Sequence, residues 1–129
     1  MEPRFLSEDH ILAIHRRGIE AYGGQLGLRD SGGFDSAINA PRNIYSYNSE
    51  ADLFDLAAAY AYHIAEAQAF YDGNKRAGLA SAAIFLQLNG ILLPEEANDR
   101  LAEALFEVAA KSCSRKSLAS LLRELAETA

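Results

Sequence analysis

The stretch Gln68-Ala69-Phe70-Tyr71-Asp72-Gly73-Asn74-Lys75-Arg76 carries the parts of an anion site in one short run. Gly73 has no side chain, so backbone there can approach a ligand closely. Asn74 opens a helix, and the first N–H groups of any helix lack an internal partner. Those donors and the helix dipole favour a phosphate. Lys75 and Arg76 stand in the first helical turn, where acids are preferred, so their charge makes sense beside a bound anion. Asp72 offers a hard carboxylate oxygen of the kind Mg²⁺ takes together with phosphate oxygens. Phe70 anchors the loop in the core. Asp-Gly-Asn is equally a common turn and helix start, and Lys and Arg on a surface helix are usually solvated. These residues alone specify no reaction.

The elements that must hold this loop read as helices almost throughout. Ser7 caps a helix over Glu8–Tyr22, with Ile11, Ile14, His15, Ile19 and Tyr22 along one side, and Gly23-Gly24 ends it. Gly18 is a weak point inside it, at a cost of about 1 kcal/mol against Ala. Asp30 or Ser31 caps a short helix towards Asn39 that Pro41 closes. Ser49-Glu50-Ala51-Asp52 reads as a capping signal, with Asp52 at the third helical position. It opens a helix to about Ala69 whose many alanines let neighbours approach closely. A further helix runs from Asn74 to Asn89, stopped by Gly90. Ile91-Leu92-Leu93 is a short extended link, Pro94 starts a helix over Glu95–Lys111, and Ser114 or Ser117 caps a last one. The expectation is an all-α bundle forming one domain over residues 1–129.

Composition narrows the function. The 129 residues carry 12 Lys+Arg against 18 Asp+Glu, a formal net charge of −6. That balance disfavours broad binding to nucleic acid or anionic lipid. Cys113 is the only cysteine, so no internal disulfide exists. Met1–His15 lacks a basic start followed by an apolar run, so no signal peptide is expected. Leu53–Phe70 is interrupted by Asp55, His63, Glu66 and Gln68, too polar for a bilayer span. The cytoplasm is the default, with no membrane and no direct nucleic-acid partner.

The stretch Gln68–Arg76 resembles the signature of the Fic/Doc family, His-x-Phe-x-Asp/Glu-Gly/Ala-Asn-Lys/Gly-Arg, and is closest to its Doc (death-on-curing) toxin branch. The resemblance continues through Tyr22-Gly23-Gly24, Leu28-Arg29-Asp30, Asp52-Leu53-Phe54 and the run Ala80–Gly90, so it covers nearly the whole chain. It implies a Fic-like helical bundle that binds ATP or another nucleoside triphosphate with Mg²⁺ and transfers part of it to a protein hydroxyl. By the same resemblance Asp72 is the metal-binding acid, Gly73 and Asn74 form the loop whose backbone and amide side chain cradle phosphate, and Lys75 and Arg76 are its cationic side. Members that transfer AMP usually carry a second Arg three residues after the first, and here Leu79 stands there. Doc-type enzymes imply phosphate transfer from ATP to a threonine of translation elongation factor Tu.

The family's catalytic His falls at position 68, where this chain has Gln68. An imidazole takes a proton near neutral pH and a carboxamide does not. Gln68 can still orient a nucleophile, and phosphoryl transfer depends mostly on positioning and charge stabilisation. Three readings follow: a phosphotransferase weakened at one residue, a catalytically silent nucleotide- or antitoxin-binding module, and a protein AMP transferase. His63, about 140° round a regular helix from position 68, faces elsewhere. His10 and His15 lie in the first helix with nothing to bring them near the loop, and a surface or partly buried structural role is expected for all three histidines. The self-restraining helix of many Fic proteins, Ser/Thr-x-x-x-Glu-Gly/Asn, has no copy here. Ser46–Ala51 and Ser120–Leu125 keep its Glu spacing but end in Ala and Leu. The Doc resemblance therefore implies a separate antitoxin whose disordered tail folds as a helix into a groove.

Overall fold

The computed structural model describes residues 2–94, 100 and 114–127. Among them lie α1 (Glu8–Tyr22), α2 (Ser31–Tyr47), α3 (Leu53–Ala67), α4 (Asn74–Leu88) and α5 (Arg115–Glu127). No strand occurs among the described residues beyond one isolated antiparallel bridge, Leu28 with Phe70. The fold is all-α, as the periodicity requires. Apart from Arg100, the helix expected over Glu95–Lys111 lies outside the described residues, as does Cys113.

α1 has the bounds its caps dictate. Ser7 Oγ accepts the His10 N–H at 3.1 Å, and His10 Nδ1 accepts the Ser7 N–H at 3.1 Å. This is a reciprocal capping box in which imidazole takes the place of the usual Glu. The next two helices correct the sequence reading. Pro41 does not close α2, which continues to Tyr47 with Pro41 buried inside it. An interior proline costs about 3 kcal/mol. Continuing the helix packs Ile44 and Tyr45 on the core and carries the Arg42 guanidinium over the Phe5 ring at 5.0 Å. The start of α3 also differs: Asp52 is the N-cap itself, paired in a capping box with Asp55. Arg123 of α5 then binds both carboxylates, at 2.9 Å to Asp52 Oδ2 and 2.8 Å to Asp55 Oδ1. The ion pairs with Arg123 add to a cap that Asp52 and Asp55 already form between themselves.

α3 is the central helix and packs against α2, α4 and α5. Leu56, Ala57, Ala58, Ala59 and Tyr60 are fully covered. The Tyr60 hydroxyl accepts the Leu6 N–H at 2.9 Å, which ties the N-terminal segment to this core. Small residues set the α3–α4 distance, as expected from the alanines. A Cβ on Gly78 would lie 2.8 Å from the Ala61 carbonyl oxygen and 3.4 Å from the Ala65 nitrogen. Both are backbone atoms and cannot swing aside. Gly78→Ala gains about 1 kcal/mol of helix propensity but forces the helices apart, an overpacking cost of about 1–3 kcal/mol. The expected outcome is a net loss of stability, read as a lower denaturation midpoint in urea with unchanged slope.

Candidate active site

The loop between α3 and α4 is built by an abrupt helix end. α3 stops at Ala67, short of the expected Ala69, because Gln68 adopts the left-handed conformation (φ 49°, ψ 42°). Among the described residues it is the only non-glycine with positive φ. Arg29 holds it there, donating from Nη2 to the Gln68 carbonyl at 2.8 Å. The Arg29 and Asp30 N–H groups both reach the Ala69 carbonyl, at 2.7 and 3.1 Å, and Tyr71 N–H reaches the Gly27 carbonyl at 3.2 Å. The segment Gly27–Asp30 thus satisfies carbonyls that the helix end leaves open.

Phe70 sits 2% exposed between two rings. His15 stacks on it at 3.6 Å with planes 7° apart, and Phe34 meets it edge-on at 5.5 Å. Asn74 closes the turn: its Oδ1 accepts the Phe70 N–H and its Nδ2 donates to the Phe70 carbonyl, each at 3.0 Å. The amide thus holds the loop through its oxygen and one of its two Nδ2 hydrogens. Gly73 follows in the left-handed region (φ 76°), and a Cβ there would meet Ile19 Cδ1 at 3.2 Å.

Gln68, Asp72, Gly73, Asn74, Lys75 and Arg76 all line one open pocket of ≈ 290 Å³, with Ala65 and Tyr71 completing its wall. These six are the residues assigned above to acceptor, metal and phosphate, while Phe70 lies beneath them in the core. Asp72 Oδ2 accepts the Gln25 N–H at 2.6 Å. Its Oδ1 has no partner among the described residues. No cluster of three or more His, Cys, Asp or Glu suited to a metal occurs among the described residues. One carboxylate oxygen together with phosphate oxygens and water is nonetheless the donor set that Mg²⁺ ordinarily takes. Arg76 lies across α1: its guanidinium is 4.5 Å above the Tyr22 ring, and a Cβ on Gly18 would be 3.3 Å from its Cδ. The glycine that weakens α1 is thus the notch that seats this arginine.

Two histidines separate clearly. His63 lines other clefts, one with Arg115 and Lys116 and one with Ser36 and Glu66, so it stands apart from the loop, as expected. Burial lowers its pKa and the Arg115 charge adds to this, with Glu66 opposing. A histidine held neutral in the folded chain leaves stability intact above its unfolded pKa near 6.5 and removes it as pH falls towards the folded value. The thermal midpoint should therefore fall between pH 7.5 and 5.5 by less in His63→Gln than in the parent. His15 overturns the sequence reading. It is 3% exposed, and its Nε2 hydrogen-bonds the Asp72 carbonyl at 2.7 Å. Its place on the apolar stripe of α1 was legible; the signal missed is what that place entails, that a histidine there is buried and needs a polar partner.

This constellation on an all-α scaffold defines the class: the chain belongs to the Fic/DOC family, whose model matches residues 5–86. That span runs from before α1 through most of α4 and contains the whole loop. Individual relatives agree over nearly the full length. The chain is 37% identical over 127 residues to Toxin Doc of Mycolicibacterium smegmatis, covering 97% of this chain and 95% of that protein. It is 33% identical over 122 residues to Protein kinase doc of Escherichia phage P1, covering 95% of each. Among the described residues no helix is long and apolar enough to cross a membrane.

Proposed function

We propose that this chain is a Doc-type toxin, a nucleotide-dependent transferase that moves the terminal phosphate of ATP to a threonine or serine hydroxyl of a cytoplasmic protein. The observation that carries the reading is the convergence of Gln68, Asp72, Gly73, Lys75 and Arg76 on one pocket at the start of α4. The names of the two relatives, a toxin and a protein kinase, support it. Elongation factor Tu is the acceptor the Doc resemblance implies. Restraint falls to an antitoxin whose tail folds as a helix into a groove.

In this reading the triphosphate lies against the α4 N-terminus, where Lys75, Arg76 and the open backbone donors balance its charge. Asp72 holds Mg²⁺, which when bound neutralises charge on the phosphate oxygens. The bond from the terminal phosphorus to the leaving diphosphate oxygen breaks as a bond to the acceptor hydroxyl forms. Gln68 accepts a hydrogen bond from that hydroxyl and aims it, and the hydroxyl proton passes to the transferred phosphate or to water. Phosphate rather than AMP transfer is favoured by Leu79, which packs half-buried against the core and takes no part in the pocket wall.

The silent binding module is the second reading, and Gln68 is the observation that favours it. Label transfer in a bacterial lysate with Mg²⁺, with γ-labelled and α-labelled ATP side by side, separates the readings. A protein band labelled only from the γ position is the expected result. Label from the α position would make the chain an AMP transferase. No band in either lane would leave the silent module as the better account.

A further inference from the structure

We infer that His15 is a positioning residue of the phosphate loop, acting through the Asp72 carbonyl to aim the Gly73 N–H into the pocket. The inference rests on the anion-site reading above and adds a residue from a helix that contributes nothing to the pocket wall.

A carbonyl oxygen only accepts, so the 2.7 Å contact between His15 Nε2 and Asp72 O is an Nε2–H donor bond. In a trans peptide the C=O and the following N–H point in opposite directions. Drawing the Asp72 carbonyl towards α1 therefore turns the Gly73 N–H away from α1. The pocket is lined by eight residues between Ala65 and Arg76, Gly73 among them, and by none of α1. Among the described residues the Gly73 N–H has no acceptor. The space also fits this purpose. A Cβ on Gly73 would lie 3.6 Å from His15 Cδ2 and Nε2, so this edge of the imidazole sits directly against the loop backbone. The stack on Phe70 at 3.6 Å fixes the plane of the ring in which Nε2 reaches Asp72. A ring needed only for filling would be phenylalanine, which stacks as well and carries no polar atom to desolvate.

Two variants separate donor from ring. His15→Gln keeps an N–H at nearly the same reach and loses the stack. His15→Phe keeps the stack and loses the donor, and His15→Met is a second donorless variant should the Phe form fold poorly. The readouts are the affinity of the full chain for ATP–Mg²⁺ and the amide NMR resonance of Gly73 during that titration. In the parent the Gly73 amide proton should move downfield as ATP–Mg²⁺ is added. The donorless variants should bind about 10-fold more weakly or worse, the usual scale of one hydrogen bond to a charged group. His15→Gln should stay close to the parent in affinity despite a lower Tm. A parent that binds ATP–Mg²⁺ while the Gly73 resonance stands still would overturn the inference alone. So would a Phe variant that binds normally, or a Gln variant as weak as the donorless ones. A parent that binds neither ATP–Mg²⁺ nor inorganic phosphate would overturn the site reading itself and this inference with it.

Discussion

Gln68→His raises the rate of phosphate transfer by about 10²–10⁴-fold, the usual worth of a positioned general base. The substitution fits the backbone. Position 68 is in the left-handed region, which histidine enters more readily than most residues, and it is exposed at the pocket mouth. Lys75 and Arg76 across the same pocket favour the neutral imidazole, the form that takes a proton. The measurement is the initial rate of γ-label incorporation, followed across pH. The variant should gain an inflection near the imidazole range that the parent lacks. Gln68→Ala tells whether the amide itself works, since a fall in an existing activity would assign it the aiming role. Gln68→Gly adds a stability control. Removing the side chain from a left-handed position relieves about 1–2 kcal/mol of steric cost, partly offset by the freer unfolded chain. A more stable and less active glycine variant would show strain kept for function. If Gln68→His were no faster than the parent, a missing base would not be what limits this site.

Asp72→Asn lowers transfer by about 10²–10³-fold, the order found when one charge-stabilising group is removed from a reacting site. Asparagine keeps the oxygen that accepts the Gln25 N–H at 2.6 Å, so the loop retains that anchor. It also leaves the bond from His15 untouched, because that bond uses the backbone carbonyl. What disappears is the negative charge that would hold Mg²⁺. The thermal midpoint of the free variant should match the parent's, and the stabilisation that ATP–Mg²⁺ confers should shrink. Equal activity in parent and Asn variant would reduce Asp72 to a loop anchor. A lower midpoint without nucleotide would mean the carboxylate charge serves the fold. These outcomes are read on separate instruments, so one cannot stand in for another.

The residues with chemistry were legible because they lie within one short stretch of chain. Gly73, Asn74, Lys75 and Arg76 announce a helix start with cations where anions are usual, and that pattern needs no tertiary information. Ser7, Asp30 and Ser114 mark helix starts for the same local reason, since a cap bonds only to its own first turn. The local reading changed in two places, both where distant parts of the chain make contact. Pro41 stays helical because the turn beyond it packs on the core, and Asp52 became the cap in a cluster completed by Arg123, 71 positions away.

The all-α class, the family signature, the loop that would meet a phosphate and the glutamine at position 68 are legible in the linear order of residues. What holds that loop emerges only when the helices pack. His15 meets Asp72 across 57 positions, Gln25 meets it across 47, and Arg29 caps the Gln68 carbonyl across 39. Periodicity places such residues on a face of a helix or in a loop without saying which partner that face or loop will find. The close approach of α3 and α4 at Gly78, and the seating of Arg76 in the notch at Gly18, are matters of packing. Chemistry is written in residue types at short spacing, whereas its alignment depends on contacts that exist only once the helices have closed on one another.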